Sequence, residues 1–568
     1  MHTTNEESAA IPQTQYALQL IGPSRLKLNT AKDVHLPGPH QILARVEAVG
    51  LCFSDLKLLK QFSEHPRKSR VVRGVDPEVL DSLPSYAPGD KPTVPGHEVV
   101  CDIVAVGERV TRHEVGERVL VQADWRFVRT ALTNGAFGYN FEGGLQEYVL
   151  FDERIVVDPQ TQQRFLMPAS GELSASAVCL VEPWGCVENS YVNAERNTIK
   201  PGGELLVVAE AGCAIEGLIE SFSPDAGPGG ITAFCAEDAQ RKSLTDAGLT
   251  FTEAQSLASL PDEAFDDIVY FGAAKETLDV LNDKLAIRGI INIVTGGRQI
   301  SQPVSVGVGR IHYGLTRWVG TLETSAADAY KVIPPTGEIR SGDSVAIIGA
   351  AGPMGQMHTI RTLCLTTENM SVVATDMDDA RLESLREKVQ SLSDERGVPL
   401  RLVNTKANPL DERFSYFALM APIGALVADA IAHSLPGCRI NIFAGIPAPT
   451  RHDIDMNTYI ANRCFMFGTS GSRIEDMQIV LDKVTAAQLD TNLSVDAICG
   501  MAGAADGIAA VENRTMAGKI IVYPQRHQLG LIPLKELPAK LPAVGAKLNH
   551  GMWTQAAEQE LLKTASER

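Results

Sequence analysis

Hydrophobic and polar positions change rhythm along this chain. Between residues 16 and 150 the apolar positions come in short runs, at 16–21, 41–49, 99–106 and 110–121 and after Tyr148. The breaks between them carry Pro37-Gly38-Pro39, Pro95-Gly96, Gly116 and Gly143-Gly144. Short runs punctuated by Gly and Pro predict a small all-β unit. From residue 200 apolar runs alternate with turns and helix-like stretches, which predicts an α/β arrangement with parallel strands. Near the C-terminus, Met552, Trp553, Ala556 and Leu561 are spaced for one face of a helix over 551–562, docked on its own subunit.

The α/β part is written twice. In the later copy an apolar run at 345–348 enters Gly349-Ala350-Ala351-Gly352-Pro353-Met354-Gly355, and a helical pattern follows from Gln356. A second apolar run ends at Asp376, 21 residues beyond Gly355. Strand, glycine turn, helix, strand and acid form the dinucleotide fingerprint, although Ala350 and the Gly349-x-x-Gly352 spacing depart from its strict form. Glycines let the backbone approach a pyrophosphate, and free N–H groups at a helix N-terminus attract it. An acid closing the second strand binds a ribose hydroxyl and repels a 2′-phosphate. The candidate cofactor contacts are therefore Gly349, Gly352, Pro353, Met354, Gly355 and Asp376, with NAD preferred over NADP. Met377, Asp378 and Asp379 add repulsion, and Arg381 stands nearby.

The earlier copy has a strand at 205–208 and then Ala209-Glu210-Ala211-Gly212-Cys213-Ala214-Ile215. The outer glycines are gone, and Glu210 puts a negative charge where a pyrophosphate would lie. Later segments match in kind: 289–296 with 438–445, and 319–321 with 467–469. This reads as a degenerate module for packing or oligomerisation, with a regulatory ligand site as the other reading.

Composition narrows the partners. The 568 residues carry a formal charge of −18, and no basic run argues for nucleic acid. No apolar stretch approaches a membrane span. Residues 1–15 are polar and do not read as a secretory signal. Ten scattered cysteines, with no C-x-x-C pair, suit reduced thiols in a cytoplasmic protein.

Cys52, His97 and Glu98 offer thiolate, imidazole and carboxylate, the donors of a catalytic zinc site. Their separation alone is weak evidence, because the fold must bring them together. The surroundings add to it: Gly50-x-Cys52-x-Ser54-Asp55, Pro95-Gly96-His97-Glu98, Val115-Gly116-x-x-Val119, Glu142-Gly143-Gly144 and Val181-Glu182-Pro183-Trp184-Gly185. Together these motifs resemble the zinc-containing medium-chain alcohol and sorbitol dehydrogenases. The resemblance implies a GroES-like β-rich catalytic domain joined to doubly wound parallel-sheet, Rossmann-like modules. It implies Cys52 and His97 as zinc ligands, with Glu98 or Glu182 as a further ligand. It also implies Ser54 as the proton-passing hydroxyl and Asp55 as the carboxylate that orients the metal shell.

Two departures from the family stand out. The segment 122–140, where a structural zinc loop belongs, has no cysteine, so one catalytic zinc and no structural zinc are expected. The stretch between Cys52 and His97 is long, and its polar part, 60–92, is either a border of the substrate mouth or a solvated loop.

The expected layout is a flexible N-terminus at 1–15 and a catalytic domain at 16–187 closed by 496–525. A degenerate module at 188–325, an NAD-binding module at 326–495 and a helical appendage at 526–568 complete it. The implied activity is a zinc-dependent hydride transfer between NAD(P) and a secondary alcohol or carbonyl of polyol or sugar type. Family habit makes a homo-oligomer the expectation. The rival readings are a zinc-free quinone or enone reductase, which has a similar glycine turn, and a non-enzymatic cofactor-binding sensor or scaffold.

Overall fold

Ile42, Leu43 and Ala44, successive residues that point to alternate faces of the strand Gln41–Gly50, are all buried, as are Val46, Ala48 and Val49. A strand apolar on both faces belongs in the middle of a sheet. It pairs antiparallel with Glu98–Val106, Tyr148–Asp152 and Lys519–Val522 in an eight-stranded sheet. The structure, a computed structural model, describes residues 11–563. Most of the segment 1–15 expected to be flexible thus lies outside the described residues, and a strand, Thr14–Leu20, begins before its end.

The sheet belongs to the first of two compact units, residues 1–185 with 472–568. Val495–Cys499 lies parallel to Lys519–Val522, so the chain's late strands join its early ones. The insert 60–92 is folded, and does not read as a solvated loop. Its strand Val71–Arg73 pairs with Asp124–Thr130, and Phe62, Val79, Leu80 and Leu83 enter the hydrophobic core. Lys68 is fully buried there and donates to the carbonyls of Ala87 and Lys91. Burial pushes its ammonium down to about 8.

The tail helix, Gln555–Lys563, starts later than the apolar spacing predicts and buries a different face. Ala557, Glu558 and Leu561 point inward while Ala556 is exposed. A carboxylate decides this face. Glu558 accepts from Ala175 N at 2.5 Å, Ser176 N at 2.8 Å and the Tyr523 hydroxyl at 2.8 Å. These are amides of a helix's first turn, which has no intrahelical acceptor for them.

The second unit, residues 186–471, holds two six-stranded parallel sheets. One runs Thr252–Glu253, Gly230–Cys235, Glu204–Ala209, Phe265–Phe271, Leu285–Val294, Arg317–Thr321. The other runs Leu400–Asn404, Ser371–Asp376, Ser344–Ile348, Phe414–Leu419, Ser434–Ile442, Phe465–Phe467. In chain order both read 3-2-1-4-5-6, the doubly wound Rossmann arrangement. Among the described residues no helix is long and apolar enough to cross a membrane.

Candidate metal and dinucleotide sites

Sheet register assembles the metal donors. Gly50 stands opposite Glu98 on one neighbouring strand and opposite Ile521 on the other. Two residues after Gly50 comes Cys52, at the N-cap of the helix Phe53–Gln61. One residue before Glu98 comes His97, delivered by a turn in which Gly96 has φ +96°. A Cβ at Gly50 would collide with the Glu98 carboxylate, so the close approach needs glycine.

Ligand atoms of Cys52, His97 and Glu98 all lie within 4.8 Å of one another. Asp55 braces two of these residues: one oxygen accepts from Cys52 N at 3.1 Å, and the other meets His97 Nδ1 at 3.0 Å. With Nδ1 engaged by Asp55, Nε2 is the imidazole nitrogen that could take a metal. Glu98 is completely buried, and its Oε1 lies 2.5 Å from Lys519 Nζ while Oε2 has no hydrogen-bond partner. Lys519 also donates to the Leu51 carbonyl at 2.7 Å. Burial opposes its charge, yet Glu98, with Cys52 and Asp55, holds the ammonium above its ordinary value.

Glu182, at the start of the helix Val181–Val192, stands outside the group of three. It is buried, and burial pushes its carboxyl up to about 7 against the pull of His97. Ser54 is half-buried in the first turn of its helix.

Sequence reasoning missed four neighbours. Lys519 carried a signal, a lone cation in the apolar strand Lys519–Val522, where only a buried acid makes it tolerable. Tyr139 packs its ring, tilted by 41°, 5.6 Å from that of His97, and Arg67, from the insert, lies 5.2 Å from the Tyr139 ring centre. His65 also packs on Tyr139, at 5.2 Å, and burial together with the charges of Arg67 and Lys57 pushes it down to about 4. His65 is therefore neutral near pH 7, while Arg67 places a permanent charge beside Tyr139.

The glycine turn of the later module is built for close approach. Gly349 has φ +80°, and a Cβ on Gly355 would press into Gly349 O and the Ala350 backbone. Gly352 caps the helix Pro353–Leu363, whose first residue, Pro353, has no N–H to satisfy, and Met354 follows half-buried. Asp376 ends its strand beside this turn, where Oδ2 accepts from Ala351 N at 3.2 Å and Oδ1 from Met377 N at 2.8 Å. A Cβ at Gly352 would lie 3.3 Å from the Arg381 guanidinium, so Arg381 flanks the turn.

The earlier module is arranged otherwise. From Glu204–Ala209 to Gly230–Cys235 the chain passes through a single 3-10 turn, Ile219–Ser221. No α-helix lies between these two strands, so none starts directly from its glycine turn. Glu210 supplies the anion itself, accepting from Ala273 N at 3.3 Å, Ala274 N at 3.2 Å and the Tyr270 hydroxyl.

Residues 38–160 match the alcohol dehydrogenase GroES-like domain. The chain is 26% identical over 345 residues to the uncharacterized protein YggP of Escherichia coli strain K12, spanning 55% of this chain and 75% of that one. It is 25% identical over 340 residues to L-sorbose 1-phosphate reductase of Klebsiella pneumoniae, spanning 54% and 75%. The crystal structure of 2R,3R-butanediol dehydrogenase from Bacillus subtilis aligns over 90% of this chain and all of that one. Its TM-score of 0.50 at 13% identity is a likeness of fold.

Proposed function

We propose, from the premise that this chain is a medium-chain alcohol and polyol dehydrogenase-like protein, that it is a zinc-dependent, NAD-linked dehydrogenase of secondary alcohols of polyol or sugar type. The observation that carries this reading is the convergence of Cys52, His97 and Glu98 within 4.8 Å inside a GroES-like domain. The donor set suits zinc, and the orphaned Glu98 Oε2 is a buried acceptor that a cation would satisfy. The glycine turn, with its free helix N-terminus, suits a dinucleotide.

When bound, zinc supplies Lewis-acid polarisation of the substrate oxygen and NAD takes up the hydride. The protein's own residues do the rest. Cys52 and His97 would hold the metal, with Glu98 or Glu182 beside them, and Asp55 fixes the tautomer of His97. Ser54 takes the alcohol proton, and Lys57, one helical turn on, helps pass it to solvent. The amides of Gly352, Met354 and Gly355 would cradle the pyrophosphate, and Asp376 would bind the adenosine ribose. Metal analysis of the purified chain and an NAD-coupled screen of polyols and sugars test the reading. A chain that carries no zinc, after controls for loss, would move the zinc-free reductase to first place.

Asp376→Ala is expected to weaken NADH by about tenfold, the value of a charged hydrogen bond, while NADPH tightens as repulsion is removed. Fluorescence titration with both nucleotides measures this, and equal losses for the two would take discrimination away from Asp376.

Among polyol-type substrates a phosphorylated one is favoured. L-sorbose 1-phosphate reductase is among the relatives, and Arg67 stands beside Tyr139 and His97 where an anionic substituent would need a cation. Arg67→Gln should raise KM for a sugar phosphate by about tenfold or more and leave KM for a neutral polyol nearly unchanged. Equal effects on both substrates would show that Arg67 does not select charge.

A further inference from the structure

The two parallel-sheet modules meet about a local two-fold axis, and the residue numbers show it. The strand Val304–Val306 of the earlier module pairs antiparallel with His452–Ile454 of the later one. The partners are Val304 with Ile454, Ser305 with Asp453, and Val306 with His452. A constant offset of 148 residues takes Val304 to His452, Ser305 to Asp453 and Val306 to Ile454. Each rung of the ladder is therefore either its own symmetry mate or the mate of the opposite rung, with the axis between Ser305 and Asp453.

The same offset relates the helices that follow, Val308–Tyr313 and Met456–Ala461. It also repeats a tight contact. A Cβ at Gly320 would lie 2.7 Å from the Ile460 side chain, and a Cβ at Gly468 would lie 3.0 Å from His312 Cα. Gly468 corresponds to Gly320, and Ile460 to His312, so one contact is made twice across the axis. Around it the two modules share a core that includes Ile293, Ile311 and Trp318 from one and Ile442, Ile460 and Met466 from the other. The Tyr459 hydroxyl donates to the Trp318 carbonyl at 2.7 Å.

Such a self-complementary contact is the isologous kind that two identical subunits make. Here both halves come from one chain. Arg317–Thr321 and Phe465–Phe467 each end their sheet's order, and an open sheet end with an apolar surround invites association. We propose that the earlier module is a built-in partner for the later one, closing this face within the chain. The protein is then a monomer, with one candidate metal site for each pair of parallel-sheet modules. This replaces the homo-oligomer expected from sequence. It also gives the earlier module a role that needs no dinucleotide: the interface uses the strand after Leu285–Val294 and the end strand, while the altered turn at Glu210 lies elsewhere in the sheet.

The test uses the full chain with Ser305→Cys and Asp453→Cys. Facing residues of an antiparallel ladder have Cα atoms about 4.5–5.5 Å apart, within disulfide range. Oxidation should remove two thiols relative to the reduced variant, returning the count to that of the wild type, and give a crosslinked species of single-chain mass on a non-reducing gel. Sedimentation velocity of the unmodified protein should give the mass of one chain across the micromolar range. A covalent dimer, no loss of thiols, or a two-chain mass in the wild type would each overturn the proposal.

Discussion

Removing the thiolate and imidazole together, as Cys52→Ala with His97→Ala, is expected to yield a folded chain that binds no zinc and has lost alcohol oxidation by at least about a thousandfold. Both side chains sit at the end of elements held by other contacts. Cys52 caps a helix whose apolar residues Leu56, Leu58 and Leu59 remain in the core, and His97 follows a turn anchored between Leu145 and Val49. Loss of function without loss of fold is therefore the outcome to look for, by metal analysis, NAD-coupled kinetics and circular dichroism on one preparation. The wild type should carry about one zinc per chain, as a site with one open position requires. A variant that stays active would remove these residues from the chemistry.

The second large effect is on stability. Lys519→Met should destabilise the unit that holds it by about 3–5 kcal/mol, because it leaves the Glu98 carboxylate buried and unpaired. Glu98 is 0% and Lys519 4% exposed as side chains, so water cannot take the partner's place. Combining Lys519→Met with Glu98→Gln should restore much of the loss, since the buried charge goes with its partner. The sign with pH follows from linkage. In the wild type the acids around Lys519 hold its folded-state pKa above its unfolded value, so this stabilisation is fully present below the unfolded lysine range and fades as pH rises above it. Denaturant melts of metal-free wild type and variants at neutral pH measure the loss and its rescue, with the transition of this unit followed separately. Equal stability of single variant and wild type would mean that the ion pair does not hold these strands.

How much of this was legible in sequence depends on distance along the chain. The glycine turn and Asp376 were readable because strand, turn, helix and strand are consecutive, and local sterics demand glycine at 349 and 355. The metal donors were readable only through their flanking motifs, because Cys52 and His97 lie 45 residues apart. The inward face of the tail helix was misread at Ala556 because the decisive group is Glu558, polar by composition and buried by its partners. The insert 60–92 looked polar because its apolar residues are few, yet Phe62, Val79 and Leu80 suffice to anchor it in the core.

The sequence by itself determined the strand-and-turn rhythm, the doubled α/β pattern, the donor types and the cofactor fingerprint, all of which act over a few residues of backbone geometry. Only the tertiary structure decided that Glu98 meets Lys519, that Glu182 stands apart from the three donors, and that the two modules close on each other about a two-fold axis. Those facts depend on sheet register between segments as far apart as residues 50 and 521, and on pairing between strands 148 residues apart. Register is set by the sum of all core contacts, so no short stretch of sequence carries it.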